Sequence, residues 1–150
     1  MSKGFRYLDH MTDALIEAYG STLDEAFENS ARGLVNTMFD LSNISNNLEV
    51  KIEARGHDLY SLLYDWLEKV MLVILTENII LSDFTVKILS STEKIGDHCT
   101  YFLSCTARGE HLDLEKHHFK VEIKAVTYHE MQIKQENEKN TVTTRFLLDL

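Results

Sequence analysis

The sequence predicts an α+β fold in which two main helices pack on a largely antiparallel β-sheet. Two observations predict the helices, namely a capping sequence at Thr22–Glu25 and a wide apolar stripe that follows Asp58. A third observation predicts the sheet, since apolar and polar residues alternate in several short segments. Because runs of such segments follow the second helix, the layout is typical of the α+β class.

The first helix is predicted to begin at Thr22, whose hydroxyl can accept from the third helical amide while Glu25 reaches back. Asp24 and Glu25 also suit the positive end of the helix dipole. Its apolar face recurs at helical spacing and consists of Phe27, Ala31, Leu34, Val35 and Met38. We expect this helix to end near Asp40, before the polar residues 42–47.

The second helix is predicted to follow Asp58, a suitable N-cap, and to end at Asn78. Its apolar stripe consists of Leu59, Leu62, Leu63, Trp66, Leu67, Val70, Met71, Ile74 and Leu75. A stripe of this width is typical of a helix buried in a core, with a partner-binding groove as the alternative. Asp65, Glu68 and Lys69 interrupt the apolar run, so we do not expect it to span a membrane.

About seven strands are predicted from alternation and composition. They are Phe5–His10, Ala14–Tyr19, Leu48–Ala54, Phe84–Ile88, Cys99–Ala107, Phe119–Lys134 and Thr141–Asp149. Residues 90–97 are predicted to form a turn, and residues 135–140 to join the last two strands. The charged segment 109–118 is expected to be irregular, with one helical turn.

Composition bounds the class of protein. A chain of 150 residues, 44% of them hydrophobic, can form one domain with its own core, so we expect a single domain over residues 1–150. The net charge of −9 argues against direct RNA binding, because cationic side chains supply most non-specific affinity for phosphates. Contact with RNA should come through a basic partner. Residues 1–4 show no secretory signal, so we expect a soluble, intracellular protein of the cytoplasm, or of the nucleus in a eukaryote.

The two cysteines do not predict a disulfide framework or a metal site. Cys99 and Cys105 share strand parity, so we expect both to be small apolar residues on one face of a strand. No cysteine pair lies at zinc-ligand spacing, and the adjacent His117 and His118 would point to opposite faces of a strand. Zinc is therefore not expected.

Candidate functional residues cluster in the stretch Tyr7–Asp13, which carries Asp9, His10 and Asp13. Apolar residues follow it, so the stretch fits a turn between two strands with carboxylates at its tip. Spacing alone favours a polar hairpin loop with no function, since loops are polar by default. Two distant stretches favour the functional interpretation, and they are Lys124–His129 and Phe146–Leu150.

Five features occur in order along nearly the whole chain: Tyr7–Asp13, Gly20–Phe27, Leu62–Leu67, Glu122–His129 and the penultimate Asp149. Together they resemble the archease family. The first resembles that family's opening Asp-His-Thr-Ala-Asp motif, and the fourth resembles its most specific motif. Met11 and Thr12 depart from the opening motif, because the family usually has Thr and Ala there, whereas Asp13 is kept.

The resemblance implies an archease-like fold and an activator with no catalysis of its own. Archeases assist RNA ligases of the RtcB type in tRNA splicing, by promoting guanylylation of the ligase and its multiple turnover. The resemblance also implies a metal site made by Asp13, Asp149 and Leu150. Lys124 and His10 lie in the matching motifs and are further candidates for residues that activation needs. The expected partner is an RtcB-type RNA ligase, with RNA reached only through it.

The expected metal site has a chemical basis. Two neighbouring carboxylates, such as those of Asp13 and Asp149, cannot both stay ionised at low cost without a cation or a basic partner. A hard divalent ion resolves that conflict, and calcium is expected first, with magnesium and manganese as alternatives. Leu150 could contribute only its backbone oxygens. The simpler interpretation is two ordinary surface aspartates.

Other roles stay open for the neighbouring residues and for the protein. His10 and His129 suit structural hydrogen bonds better than ligation, because a hard-oxygen site has little use for imidazole. Lys124 could hold phosphate, pair with an acid, or be a plain surface lysine. A metal-dependent phosphoester hydrolase and a chaperone-like binding adaptor are the rival functions, although no nucleophile or general-base motif supports the hydrolase.

Overall fold

The computed structural model describes residues 4–9, 12–91 and 100–150. Within them the helices are α1 (Leu23–Met38) and α2 (Leu59–Glu77). The strands are β1 (Phe5–Leu8), β2 (Ala14–Gly20), β3 (Leu48–Gly56), β4 (Ile79–Ser90), β5 (Tyr101–His111), β6 (Ala125–Val126), β7 (Gln132–Glu136) and β8 (Thr141–Asp149). A 3-10 helix at Asn137–Lys139 joins β7 to β8. Among these described residues, none of the helices has the length and apolar character needed to cross a bilayer.

The described strands form two antiparallel sheets. In the first, the strand order is β1-β2-β8-β6, and β7 also pairs with β8. In the second, the order is β3-β5-β4. Helix α1 contacts β2 and β8 of the first sheet and β4 of the second, while α2 packs mainly on β3. The predicted α+β class is confirmed, with the antiparallel strands divided between two sheets.

Local capping chemistry fixes where both helices begin. The Thr22 hydroxyl accepts from the Glu25 amide at 3.1 Å, and the Glu25 carboxylate reaches back to the Ser21 amide at 3.2 Å. At α2, Asp58 accepts from the Ser61 amide at 2.7 Å, and the Ser61 hydroxyl accepts from the Asp58 amide at 3.1 Å. Both predicted starts are confirmed because each needs only residues within one turn.

The second helix ends as its sequence predicts, although one side of its apolar stripe is open. Asn78 adopts a left-handed conformation with φ of 53°, which stops the helix after Glu77. Leu75 was predicted in the buried stripe but is 52% exposed. The core side is buried as predicted, from Leu62 to Ile74.

Trp66 ties the two helices and the second sheet together. It is fully buried, and its indole N–H donates to the Phe27 carbonyl of α1 at 2.9 Å. Its ring meets the ring of Phe84 in β4 edge-on, with centroids 6.0 Å apart. Satisfying the polar N–H allows this large ring to be buried without the cost of an unpaired donor.

The prediction of one long strand over Phe119–Lys134 is wrong. Only β6 and β7 lie in that segment, since the chain first joins the end of α1: the Lys120 amide donates to the Met38 carbonyl at 2.8 Å. Between β6 and β7 the chain turns, with Glu130 at a left-handed φ of 57°. Alternating residue types resemble a strand, but these contacts outweigh that local preference.

Other strand bounds differ from their predictions. The first strand ends at Leu8, and the predicted end at His10 lies outside the described residues. β5 runs to His111, past the predicted end at Ala107. Gly109 permits this extension, because a Cβ there would overlap the Ile80 carbonyl of the bulged strand β4. The predicted start of β5 at Cys99 lies outside the described residues, and so does most of the predicted turn at residues 90–97.

The segment after β5 contains the single turn that the sequence predicts. The His117 amide donates to the Asp113 carbonyl at 2.7 Å, which closes the turn. Glu110 anchors it from β5, because its carboxylate accepts from Lys116 at 2.8 Å and from the Ser45 amide at 2.7 Å. Lys116 and Ser45 hold the pKa of Glu110 at about 2, well below its ordinary value.

Cys105 is a buried apolar residue of β5, as predicted. Burial raises the pKa of its thiol to about 12, so the reactive thiolate is scarcely populated near neutral pH. The predicted face shared with Cys99 falls partly outside the described residues.

Candidate functional site

The antiparallel pair of β2 and β8 positions the predicted site residues. Its last registered pair is Ala14 with Leu148. Asp13 and Asp149 each lie one residue beyond that pair, Asp13 in the bend before β2 and Asp149 as the last residue of β8. The β2–β8 pairing therefore brings two carboxylates that are far apart in sequence to one end of the strand pair.

A cavity of about 460 Å³ opens beside this end of the strand pair. It is lined by Tyr7, Leu8, Asp9, Asp13, Ala14, Leu15, Asn36, Thr37, Lys120, Val121 and Leu150. Two of the three predicted metal residues, Asp13 and Leu150, therefore share one cavity. Asp13 is half-buried and Asp9 is exposed, so the acidic side of the cavity faces solvent.

Hydrogen bonds from α1 shape the opposite wall of the cavity. The Asn36 side chain donates to the Tyr7 hydroxyl at 3.0 Å, and that hydroxyl lies 3.2 Å from the Thr37 hydroxyl. The Lys120 ammonium donates to the Asn36 carbonyl at 2.8 Å. One wall thus carries neutral polar groups and a cation, whereas the other carries the carboxylates.

The stretch Lys124–Thr127 holds the end of β8 by its backbone. The Lys124 amide donates to the Asp149 carbonyl at 2.8 Å, and the Thr127 hydroxyl donates to the Leu147 carbonyl at 3.0 Å. Leu147 and Leu148 are buried, which anchors the strand to the sheet. Asp149 itself is exposed, and its backbone carbonyl is held by the Lys124 amide.

The oxygen donors at this site fit a hard divalent ion. Asp13, which has a carboxylate, and Leu150, which has backbone oxygens, line the cavity, and Asp149 is the residue before Leu150 in the chain. Across the described residues, no group of three or more His, Cys, Asp or Glu side chains is arranged as a metal site. An ion here would therefore rest on two carboxylates together with backbone oxygen and water, which suits calcium or magnesium better than zinc.

A second cavity of about 410 Å³ lies over the outer face of β3, β5 and β4 and contains none of the predicted site residues. Arg55 lies over the ring of Phe102 there, 5.1 Å from its centroid. Asp65 accepts from the Lys69 ammonium at 3.0 Å and from the Arg55 amide at 2.9 Å. Asp65 and Lys69 pair with each other there. The cavity beside Asp13 contains the predicted residues Asp13 and Leu150 and is therefore the candidate site.

Comparison with known proteins shows the family. A family model described as the Archease protein family (MTH1598/TM1083) matches residues 5–150. The chain belongs to the archease family. It is 39% identical to Protein archease of Methanothermobacter thermautotrophicus over 148 residues, which is 99% of both chains. It is also 39% identical to Protein archease of Pyrococcus furiosus over 131 residues, covering 87% of this chain and 88% of that one.

The archease fold is also shown by a solved structure. The solution structure of protein 1598 of Methanobacterium thermoautotrophicum matches with a TM-score of 0.78 and 34% identity, covering 99% of this chain and all of that one. The resemblance stated from the sequence is therefore confirmed over nearly the whole length of the archease relatives.

Not every predicted residue of this archease can be assigned to the site. Asp13 and Leu150 line the cavity, and Asp149 is one residue beyond the last registered pair of β2 and β8. Lys124 contacts Asp149 through its backbone, while its side chain is exposed. His129 is exposed, and its amide donates to the Thr127 hydroxyl at 3.3 Å. His10 lies outside the described residues.

Four lining residues were missed by the sequence interpretation of this archease: Tyr7, Asn36, Thr37 and Lys120. Tyr7 lies within the opening stretch, so its position beside Asp9 was a usable signal. Thr37 is a polar residue next to Met38 on the apolar face of α1, which was a weaker signal. The sequence carried no signal for Asn36 and Lys120, because only the contact between residues 118–120 and the end of α1 brings them together.

Proposed function

We propose that this archease activates an RNA ligase of the RtcB type in tRNA splicing, promoting guanylylation of the ligase and its multiple turnover, with no catalysis of its own. One observation carries the proposal. The cavity lined by Asp13 and Leu150 lies at the end of the β2–β8 pair, where Asp149 is the last residue of β8. The described lining supplies oxygen donors that suit an ion.

The site binds a divalent ion, with calcium preferred over magnesium and manganese because its loose geometry accepts carboxylate, backbone and water oxygens together. Asp13 and Asp149 hold it by their carboxylates, and Leu150 by a backbone oxygen. The ion adds positive charge for contact with nucleotide phosphate and offsets the repulsion between the two carboxylates.

The acidic surface directs the encounter with the ligase. A net charge of −9 favours approach to a basic nucleotide site and disfavours direct contact with RNA. RNA is therefore reached through the ligase. Association should slow as salt is raised, since screening weakens attraction between exposed charges.

Lys124 has two parts to play in this proposal. Its amide fixes the Asp149 carbonyl, which keeps the end of β8 in position. Its exposed ammonium is free of the cavity wall and contacts phosphate at the ligase surface. Lys124→Gln should therefore keep the fold, because the backbone bond remains, but weaken stimulation of the ligase.

A multiple-turnover ligation assay with a purified RtcB-type ligase tests the proposal. We expect wild-type protein to raise turnover, Asp13→Asn to abolish that effect, and Glu138→Gln to leave it intact. Glu138 is an exposed residue of the 3-10 helix, so this control removes one negative charge away from the cavity. Absence of stimulation by the wild type would refute the proposal, and turnover of phosphoesters without ligase would show catalysis of its own.

A further inference from the structure

Three tyrosines form an aromatic patch, which we name the tyrosine patch: Tyr60 and Tyr64 of α2, and Tyr128 from the segment after β6. The rings of Tyr64 and Tyr128 stack with centroids 4.4 Å apart and planes at 7°. Tyr60 lies one turn before Tyr64 on the same helix face. Tyr128 is 54% exposed and Tyr60 is 42% exposed, so a partner can reach the rings.

Carboxylates surround this patch. Burial raises the pKa of Tyr128, and so do Tyr64, Asp58 and the carboxylates of α2. Burial and the neighbouring Glu68 raise the pKa of Tyr64. Both phenols therefore stay neutral near pH 7, with negative charge beside them. Asp65 is among these carboxylates, and Lys69 pairs with it at 3.0 Å.

The patch is continuous with the proposed site. Tyr128 directly follows Thr127, which donates to the Leu147 carbonyl through its amide and its hydroxyl. Ala125, three residues before Tyr128, pairs with Asp149. A partner that covers the end of β8 would therefore also cover the patch. The proposed metal site makes no use of Tyr128, the aromatic residue of the stretch Lys124–His129. Contact with a partner would give this residue a role.

We propose that the tyrosine patch docks an arginine-bearing basic segment of the same RNA ligase, adjacent to the acidic site. This inference rests on the proposed function. A guanidinium stacks flat on an aromatic ring and pairs with a carboxylate at its edge, so the patch and Glu68 match arginine better than lysine. A nucleic acid strand is disfavoured at this place, since Asp58 and Glu68 would repel its phosphates.

Removing the exposed ring tests the inference. With the ligase and full-length protein, Tyr128→Ala should raise the Kd about five- to tenfold, because stacking and cation–π contacts are lost together. Ligase stimulation at saturating concentration should stay at the wild-type level. Tyr128→Phe keeps the ring and should bind as the wild type does. Leu72→Ala is the matched control, since Leu72 is an exposed apolar residue elsewhere on α2.

The charge beside the patch gives an independent test that does not depend on packing. Glu68→Gln should raise the Kd about two- to threefold and flatten the salt dependence of binding, because one ion pair is removed. Glu77→Gln removes the same charge at the far end of α2 and should change neither quantity. Thermal unfolding of each variant checks that the fold is retained.

Each result decides between this inference and the proposed function. If wild-type protein stimulates the ligase but Tyr128→Ala and Glu68→Gln bind normally, the inference is overturned and the proposed function stands. If wild-type protein neither binds nor stimulates, both are overturned. If Tyr128→Ala weakens binding only when RNA is present, the patch contacts RNA instead. If it changes only self-association, the patch contacts a second copy.

Discussion

The middle and the end of the β2–β8 pair differ in the charges of the side chains that they bring together. In the middle, Glu17 lies across from Arg145, and its carboxylate also accepts from Arg6. Four residues further along each strand, about 13 Å away, lie Asp13 and Asp149, one residue beyond the last registered pair. The middle of the strand pair joins unlike charges, whereas its end carries two like charges.

The difference separates a structural carboxylate from a functional one. Glu17 is buried, which by itself would raise its pKa, but hydrogen bonds from Arg145 and Arg6 outweigh burial and lower the pKa of Glu17. Asp149 is exposed, and in the described part of the chain no salt bridge reaches its carboxylate. Arginine thus pairs with the buried carboxylate in the middle of the strand pair, whereas the carboxylate of Asp149 at its end faces solvent.

Deleting Asp149 and Leu150 should give the largest effect, loss of ligase stimulation down to the unstimulated level. Two of the three proposed ion ligands are removed, while the helices and the core strands are kept. Multiple-turnover ligation measures stimulation, and circular dichroism checks folding. Asp149→Ala should act in the same direction. A folded deletion variant that stimulates like the wild type would remove these residues from the working site.

Glu17→Gln should affect the opposite property, costing about 2 kcal/mol of unfolding free energy, because two guanidinium groups lose a charged acceptor. Since the folded pKa of Glu17 lies below its ordinary 4.5, the stability it supplies is present above that pH and is lost as the pH falls through the folded pKa. Urea unfolding should therefore show a smaller difference between variant and wild type at pH 3 than at pH 7. Stimulation per folded molecule should be unchanged, and its loss would contradict the structural role.

The sequence could predict features that depend on residues within one turn, but not features that depend on contacts between distant segments. Both helix starts were predictable because Thr22 with Glu25, and Asp58, act within one turn. The strand predicted over Phe119–Lys134 failed because contacts with the end of α1 override its alternating pattern. That Asp13 and Asp149 belong to one site was predicted only through the family resemblance, since strand register depends on the whole strand pair. Lys120 lines the cavity because of the same contact with the end of α1 that made the strand prediction wrong.

A divalent ion should stabilise the folded protein by a smaller amount. At about ten times its Kd, an ion that binds only the folded state adds about 1.4 kcal/mol, which corresponds to a rise of about 3–6 °C in Tm. Calcium should give a larger shift than magnesium or manganese at equal concentration. Asp13→Asn and Asp149→Asn should lose the shift, while Glu17→Gln, although less stable, should keep it. An equal shift in all three variants would place the ion elsewhere.

The smallest effect is expected for Asp9→Asn, which tests whether the site is a defined pair of carboxylates or a diffuse acidic surface. Asp9 lines the same cavity as Asp13 but is exposed, and it lies outside the β2–β8 register. Its charge acts through water, where an interaction at contact distance is worth about 1 kcal/mol or less, so ion affinity should fall about two- to threefold. Salt should remove most of that difference, because exposed charges are screened over about 10 Å at 0.1 M ionic strength. Calorimetric titration with calcium at low and high salt measures both quantities. A loss as large as that of Asp13→Asn, persisting at high salt, would make Asp9 a direct ligand. The ion site would then include the loop between β1 and β2.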